Sequence, residues 1–250
     1  MRPCNECAIV VLAAGRGTRM GGPKALMSVP SEAARALRSN EPPRPAVRPW
    51  WRVQHERLRP LGGELFWVVT SDVRDAMLAT ARDDIRFVIV EPGQPMFDSV
   101  LRGISAALGQ ELDPAGRDLA ALATALTSRA RGVFLLPVDV PAAEPRVWGA
   151  LRATGEQAPV VPTCADGAAS SRRGHPVFLP GAWIRTRFAD AVRSGAASGL
   201  SAALDRLRLD QLIEPDRIEC PVTDRSVITN LNTPADVASW ARANVADRVQ

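Results

Sequence analysis

Tyrosine is absent from this 250-residue chain, and lysine occurs once, at Lys24; the other 30 of its 31 basic residues are arginine. Aromatic residues make up only 5 %. A surface for nucleic acid combines a basic stripe with stacking aromatics. Here the arginines are scattered, no five-residue basic block occurs, and the net charge is +4, so no nucleic-acid partner is expected. No apolar run approaches the roughly 20 residues that span a membrane, and no membrane partner is expected. The short apolar run after Cys7 ends in a glycine-rich loop, which reads as a buried strand and not as a secretory leader; a cytoplasmic location follows as an expectation. Histidine is limited to His55 and His175, neither in a ligand-spaced cluster. Cys4-x-x-Cys7 therefore lacks the second pair or His partner of a zinc site and reads as thiols at a strand's edge.

What is present is ordinary for a soluble globular protein: 46 % hydrophobic and 23 % charged residues. The length fits one α/β domain or two small ones; one domain over residues 1–250 is the expectation. Ala8–Leu12, Leu65–Thr70, Phe87–Val90 and Val133–Leu136 are short apolar runs bounded by turns. Ser99–Leu108 and Leu119–Arg129 read as helices. Fully apolar strands alternating with helices indicate an α/β fold, a doubly wound and mostly parallel sheet. Beyond Pro159 the pattern changes, with strand-like pieces near Pro159–Pro162, Pro176–Leu179, Ile218–Val222 and Val227–Thr229. Ser31–Pro49 is rich in proline and arginine with little periodicity, and reads as a mobile loop or insertion.

The densest signal directly follows the first strand: Leu12-Ala-Ala-Gly-Arg-Gly-Thr-Arg-Met-Gly-Gly-Pro-Lys24. Small residues there let the backbone approach a ligand, and backbone N–H groups can cradle phosphate oxygens. A Walker A loop is excluded, because Pro23 precedes Lys24 and Ala25 follows it. A dinucleotide fingerprint is disfavoured: Gly15 and Gly17 fit, but Met20 stands at the third glycine position and no acidic residue follows at the right distance. What remains is a loop placing Arg16, Arg19 and Lys24 around a triphosphate. The sole lysine falls inside it, and a compact ammonium differs from the broad planar guanidinium used everywhere else.

Other segments carry chemistry with a bland alternative beside each. Asp139, fixed between Pro137 and Pro141 after an apolar strand, can hold Mg²⁺ with few protein ligands or cap a turn. Asp98 or Ser99 can serve as a helix N-cap. His175, in Gly174-His-Pro-Val-Phe178, can meet a phosphate or simply stand beside a turn.

The glycine loop closely resembles that of the MobA-like NTP transferase family, which reads LAAGxGxRMGxxK. The likeness extends from Ala8 to about Ala241 through the [PC]-x-D-x-P, Ser-x-x-Arg, GHP and N-x-N-T-P-x-D/E segments. It implies a Rossmann-like nucleotidyltransferase fold and transfer of NMP from an NTP, CTP or GTP, to a small phosphorylated acceptor such as molybdopterin. By resemblance Leu12, Ala13 and Ala14 line the nucleobase, Gly15, Arg16, Gly17, Thr18 and Arg19 hold the phosphates, and Lys24 contacts the nucleotide. Glu91–Gly103 closes over base and ribose through Ser99 and Arg102, and His175 meets the acceptor. Asp139 and Asn232 hold Mg²⁺, with Arg19, Lys24 and Asp139 as the catalytic charges, and Thr233 or Asp236 caps the last helix. Two departures stand out. The Ser31–Pro49 insertion replaces a short glycine turn, and Asn230 and Asn232 stand where some members carry Asp. Alternatives are a sugar-1-phosphate nucleotidyltransferase and a catalytically weak nucleotide-binding protein.

Overall fold

The computed structural model describes residues 4, 6–17, 20–30, 47–81, 85–109, 132–167, 170–197 and 207–246. The first strand, β1 (Cys7–Leu12), shows why its run is uninterruptedly apolar. Ile9 and Val11 are buried on one face of the sheet, Ala8 and Val10 on the other, so both faces are covered by protein. Two further short strands, β2 (Ser28–Pro30) and β3 (Val47–Pro49), pair antiparallel apart from the main sheet. Parallel neighbours of β1 are β4 (Glu64–Val69) and β6 (Gly132–Pro137), and β5 (Arg86–Ile89) extends the parallel set beyond β4. The sheet continues through β7 (Val160–Ala165), β8 (Ser171–Arg173), β9 (Val177–Pro180) and β10 (Ile218–Val222), in the order β10-β7-β9-β6-β1-β4-β5 with β8 on β7. Only β8 and β9 run against their neighbours.

Helices cover both faces, as a doubly wound sheet requires. On one side lie α1 (Trp50–Leu58), α2 (Ser71–Leu78) and α4 (Pro145–Thr154), burying Trp50, Met77 and Trp148. On the other lie α3 (Met96–Ala107) and α5 (Ala189–Ala197), with Leu101, Ile104 and Val192 in the core. The short α6 (Leu209–Ile213) joins this second side through Ile213, and α7 (Pro234–Ala246) joins the first through Val237. Gly103 sets the distance of α3: a Cβ there would stand 2.5 Å from Val10 Cγ1 and 2.9 Å from Val68 Cγ2, so any larger residue pushes the helix off the sheet.

Most expected strands lie where the apolar runs placed them, with ends moved by one to three residues. Three readings change. Helix α3 begins at Met96, so Asp98 and Ser99 lie within its first turn and Pro95 takes the N-cap position. Val227–Thr229 is not a strand: Arg225–Ile228 forms a 3₁₀ turn, started by Asp224 accepting from the Ser226 amide at 2.9 Å. Two buried apolar residues are too few for periodicity to separate strand from turn. The end of the proline-rich segment, Val47–Pro49, is a strand held against Ser28–Pro30; residues 31–46 lie outside the described part, as does Leu119–Arg129. No helix among the described residues is long and apolar enough to cross a membrane.

Candidate active site

The register of the central strands levels their carboxyl ends. Leu12 pairs with both Val68 and Pro137, and beyond them Ala13 N donates to Val68 O (2.8 Å) and Val138 N to Leu12 O (3.0 Å). The glycine loop and the Asp139 turn thus leave the sheet side by side, at the end where open α/β sheets bind ligands. The loop closes on Gly17, whose carbonyl accepts from Met20 N (2.7 Å) and Gly22 N (3.3 Å). Gly17 has φ +58°, and a Cβ on it would stand 2.0 Å from Gly22 O, so only glycine fits. At Gly15 a Cβ would meet nothing within 4 Å, which leaves room for a ligand against the backbone. Arg16 is exposed, its guanidinium 2.8 Å from where a Gly93 Cβ would be, and so reaches the segment starting at Glu91. Thr18 and Arg19 lie outside the described residues.

The loop ends in a 3₁₀ turn, Lys24–Leu26, anchored by fully buried Ala25. Lys24 Nζ donates to Asp139 Oδ2 at 2.6 Å and to Asn232 Oδ1 at 2.7 Å. Residues 115 and 208 positions away are therefore gathered on the chain's one lysine. Their positions are fixed through backbone. Asp139 O accepts from Leu231 N at 2.8 Å, which ties the Asn232 segment to the strand tip. Asn232 is then held by a capping box: its own N and Thr233 N donate to Asp236 Oδ2 (3.0 and 2.8 Å), while Asp236 N donates to Thr233 Oγ1 (3.2 Å). Pro234 opens α7, at the position that tolerates a missing N–H. Thr233→Ala should cost about 1 kcal/mol of stability and loosen Asn232; urea unfolding beside a turnover assay checks both, and an unchanged unfolding midpoint would contradict it.

The outlying motif residues are placed less uniformly. Leu12 and Ala14 are partly exposed at the strand end, and Ala13 is buried. Ser99 and Arg102 ride on α3, across the sheet from Ala25 and Val138, and Arg102 Nε is already paired with Asp98 Oδ2 at 2.9 Å. His175 N donates to Val227 O at 2.8 Å, and a Cβ at neighbouring Gly174 would stand 2.0 Å from the same oxygen. Glycine thus lets this turn seat on the 3₁₀ turn. The His175 Nδ1 is buried and has no hydrogen-bond partner among the described residues. Burial pushes its pKa down to about 4, against a smaller opposing pull from Asp139. The imidazole is therefore neutral near pH 7, so it can offer an acceptor a hydrogen bond but no charge.

That shift fixes a pH dependence. An unfolded His takes up its proton as pH falls below about 6.5, whereas folded His175 resists until about 4. Stability is thus unaffected above pH 6.5 and falls between 6.5 and 4, by up to roughly 3 kcal/mol. Urea unfolding across this window should show a shallower loss in His175→Asn than in the native protein; equal slopes would contradict the assignment. The other large shift is at Cys4, whose thiol burial, reinforced by Cys7, pushes up to about 12. It stays protonated near neutral pH.

Residues 9–212 match the MobA-like NTP transferase domain. The chain belongs to that family. A comparison with curated proteins gives no match. Among solved structures, the chain is similar to the Mycobacterium tuberculosis Rv0371c homolog from Mycobacterium sp. strain JC1, at 18 % identity and TM-score 0.57, covering 98 % of each chain. It is similar to the manganese complex of Rv0371c from M. tuberculosis H37Rv, at 18 % identity and TM-score 0.50, over 95 % of this chain and 98 % of that one. It also resembles the 2-C-methyl-D-erythritol 4-phosphate cytidylyltransferase from Thermus thermophilus, at 17 % identity and TM-score 0.54, over 94 % of this chain and 98 % of that one. These likenesses carry the fold.

In this MobA-like transferase the donor set suits a hard divalent cation. Asp139 and Asn232 offer one oxygen each to a common point, where the Lys24 ammonium now stands in as the cation. Among the described residues no group of three or more His, Cys, Asp or Glu side chains gathers as a metal cage. Mg²⁺ in nucleotide sites takes only one or two protein oxygens and completes its shell with phosphate and water, so the pair fits. What holds this turn in place lies outside the motifs singled out in the sequence. From α1, Trp50 Nε1 donates to Val138 O (2.5 Å), fully buried Gln54 donates to Val140 O (2.6 Å) and accepts from Ala142 N (2.8 Å), and Arg57 donates to Ala142 O (2.9 Å). The available signal was their i, i+4, i+7 spacing, which puts two polar residues on the stripe normally reserved for the core.

Proposed function

We propose that residues 1–250 form one nucleotidyltransferase domain that moves NMP from an NTP, CTP or GTP, to a small phosphorylated acceptor such as molybdopterin, in the cytoplasm and with Mg²⁺. The observation that carries this is the convergence of Lys24, Asp139 and Asn232 at the mouth of the glycine loop. The backbone of Gly15–Gly17 cradles the triphosphate, with Arg16 and Arg19 beside it; Leu12, Ala13 and Ala14 border the base. Asp139 and Asn232 would hold the cation, which when bound neutralises phosphate charge as a Lewis acid.

The acceptor phosphate oxygen attacks the α-phosphorus in line. The new O–P bond forms as the bond to the bridging oxygen of the β-phosphate breaks, and the electron pair leaves with pyrophosphate. The attacking phosphate is already ionised near neutral pH, so no side chain need remove a proton, consistent with a neutral His175 at the acceptor side. This chain contributes positioning and charge: Lys24 and Arg19 meet the negative charge spread over the phosphates, and the rigid turn holds Asp139 in place. Ser99 and Arg102 close over the ribose end from α3.

A pyrophosphate-release screen of the four NTPs against molybdopterin, a sugar 1-phosphate and a polyol phosphate tests the reading. Acceptor-dependent release with CTP or GTP is the expected result. Release only with a sugar 1-phosphate would reassign the acceptor, and NTP binding without release under any pairing would leave a nucleotide-binding protein.

A further inference from the structure

We propose that Lys24 is the site's resident counter-cation: it occupies the position of the divalent ion until nucleotide arrives, and the ion enters only as the ammonium moves off to the phosphates. This rests on the metal-and-nucleotide reading above and says how that site is kept. A hard divalent ion such as Mg²⁺ binds oxygen at about 2.0–2.1 Å. Lys24 Nζ already stands 2.6 Å from Asp139 Oδ2 and 2.7 Å from Asn232 Oδ1. An ion on those two oxygens would lie within roughly 3 Å of the ammonium, where like charges in a low-dielectric cleft repel strongly. The two cations are therefore mutually exclusive there.

The local backbone sets the exchange up. The turn Lys24–Leu26 is pinned at Ala25, while the Lys24 side chain is 20 % exposed. The long lysine side chain can thus swing while its backbone stays fixed. Asn232 adds a reason for the arrangement. One carboxylate and one neutral amide bind a free divalent ion weakly, and the competing ammonium weakens this further. Nucleotide phosphates supply both the missing ligands for the ion and a new partner for Lys24. Ion and nucleotide then bind as a pair, and the site does not fill with metal alone. An arginine here would carry the charge, but its broad planar fork does not fit two single oxygens as a compact ammonium does.

Two measurements test this. Mn²⁺ binding to the nucleotide-free protein, read by electron paramagnetic resonance, should be at least tenfold tighter in Lys24→Met than in the native chain. Because Lys24 is the only lysine, ¹³C-lysine labelling gives one side-chain Cε signal without assignment. In the native protein it should move when Mg²⁺ and a non-hydrolysable NTP are added together, and should move little with Mg²⁺ alone at the same concentration. Equal or weaker Mn²⁺ binding by Lys24→Met, or a Cε signal unmoved by the pair, overturns the inference alone. Failure of Mn²⁺ to bind either protein, with or without the NTP analogue, overturns the nucleotide-transfer reading as well.

Discussion

Asp139→Asn should lower turnover by about a thousandfold or more while the protein still folds. The substitution keeps the shape of the side chain and its Lys24 contact but removes the only carboxylate of the pair at 2.6–2.7 Å from the ammonium. A thousandfold corresponds to about 4 kcal/mol of transition-state stabilisation, within the several kcal/mol that a correctly held metal supplies. The fold does not depend on the charge: what the turn requires is the Asp139 carbonyl, which still accepts from Leu231 N. Steady-state turnover over a range of Mg²⁺, beside a thermal melt, separates the two. Wild-type-like turnover at limiting Mg²⁺ would show that the ion is held elsewhere.

Gln54→Leu should be the most destabilising single change near the site, although Gln54 touches no ligand. Its amide is fully buried and serves Val140 O and Ala142 N at once. Leucine fills the volume but leaves both backbone groups without that partner inside the protein. Each buried unsatisfied group costs about 1–3 kcal/mol, so the pair costs about 4 kcal/mol, and the melting temperature should fall by roughly 10 °C in a chain of this size. The Asp139 turn should also drift, so residual turnover at a permissive temperature falls too. Trp50 still holds Val138 O, which keeps the strand end in place and confines the damage to residues 140–142. An unchanged melt would mean that the turn is held without α1.

The fold was legible because its parallel strands are buried on both faces. Runs such as Ala8–Leu12 and Val133–Leu136 are apolar at every position, and the glycines that close the loop have few other uses. Asp139 was singled out by the prolines around it, and Asn232 only by the family resemblance of its segment. Their gathering with Lys24 in one cleft was an expectation of the family resemblance, but direct contact with its ammonium was not, because nothing in local sequence encodes a contact across 115 or 208 positions. The Gln54 clamp was hidden for the same reason: the backbone groups it serves lie 86 and 88 positions away in the sequence. The Val227–Ile228 pair failed differently. Its burial was correctly implied by its hydrophobicity, but burial in a 3₁₀ turn and in a strand leave the same trace in two residues. Arg102 matches a nucleotide-binding pattern and is also engaged by the i, i+4 carboxylate of Asp98, a pairing visible in the sequence once α3 is known to begin at Met96.

In the proposed reaction a nucleotide and a divalent ion meet on the Lys24, Asp139 and Asn232 side chains beneath the glycine loop. Crystals grown with Mn²⁺ and a non-hydrolysable NTP test it most directly, through the anomalous signal of the metal. The expected result is a peak in contact with Asp139 and Asn232, triphosphate against Gly15–Gly17, and Lys24 moved from those oxygens to phosphate. A metal peak away from Asp139, or nucleotide bound outside the glycine loop, would contradict it.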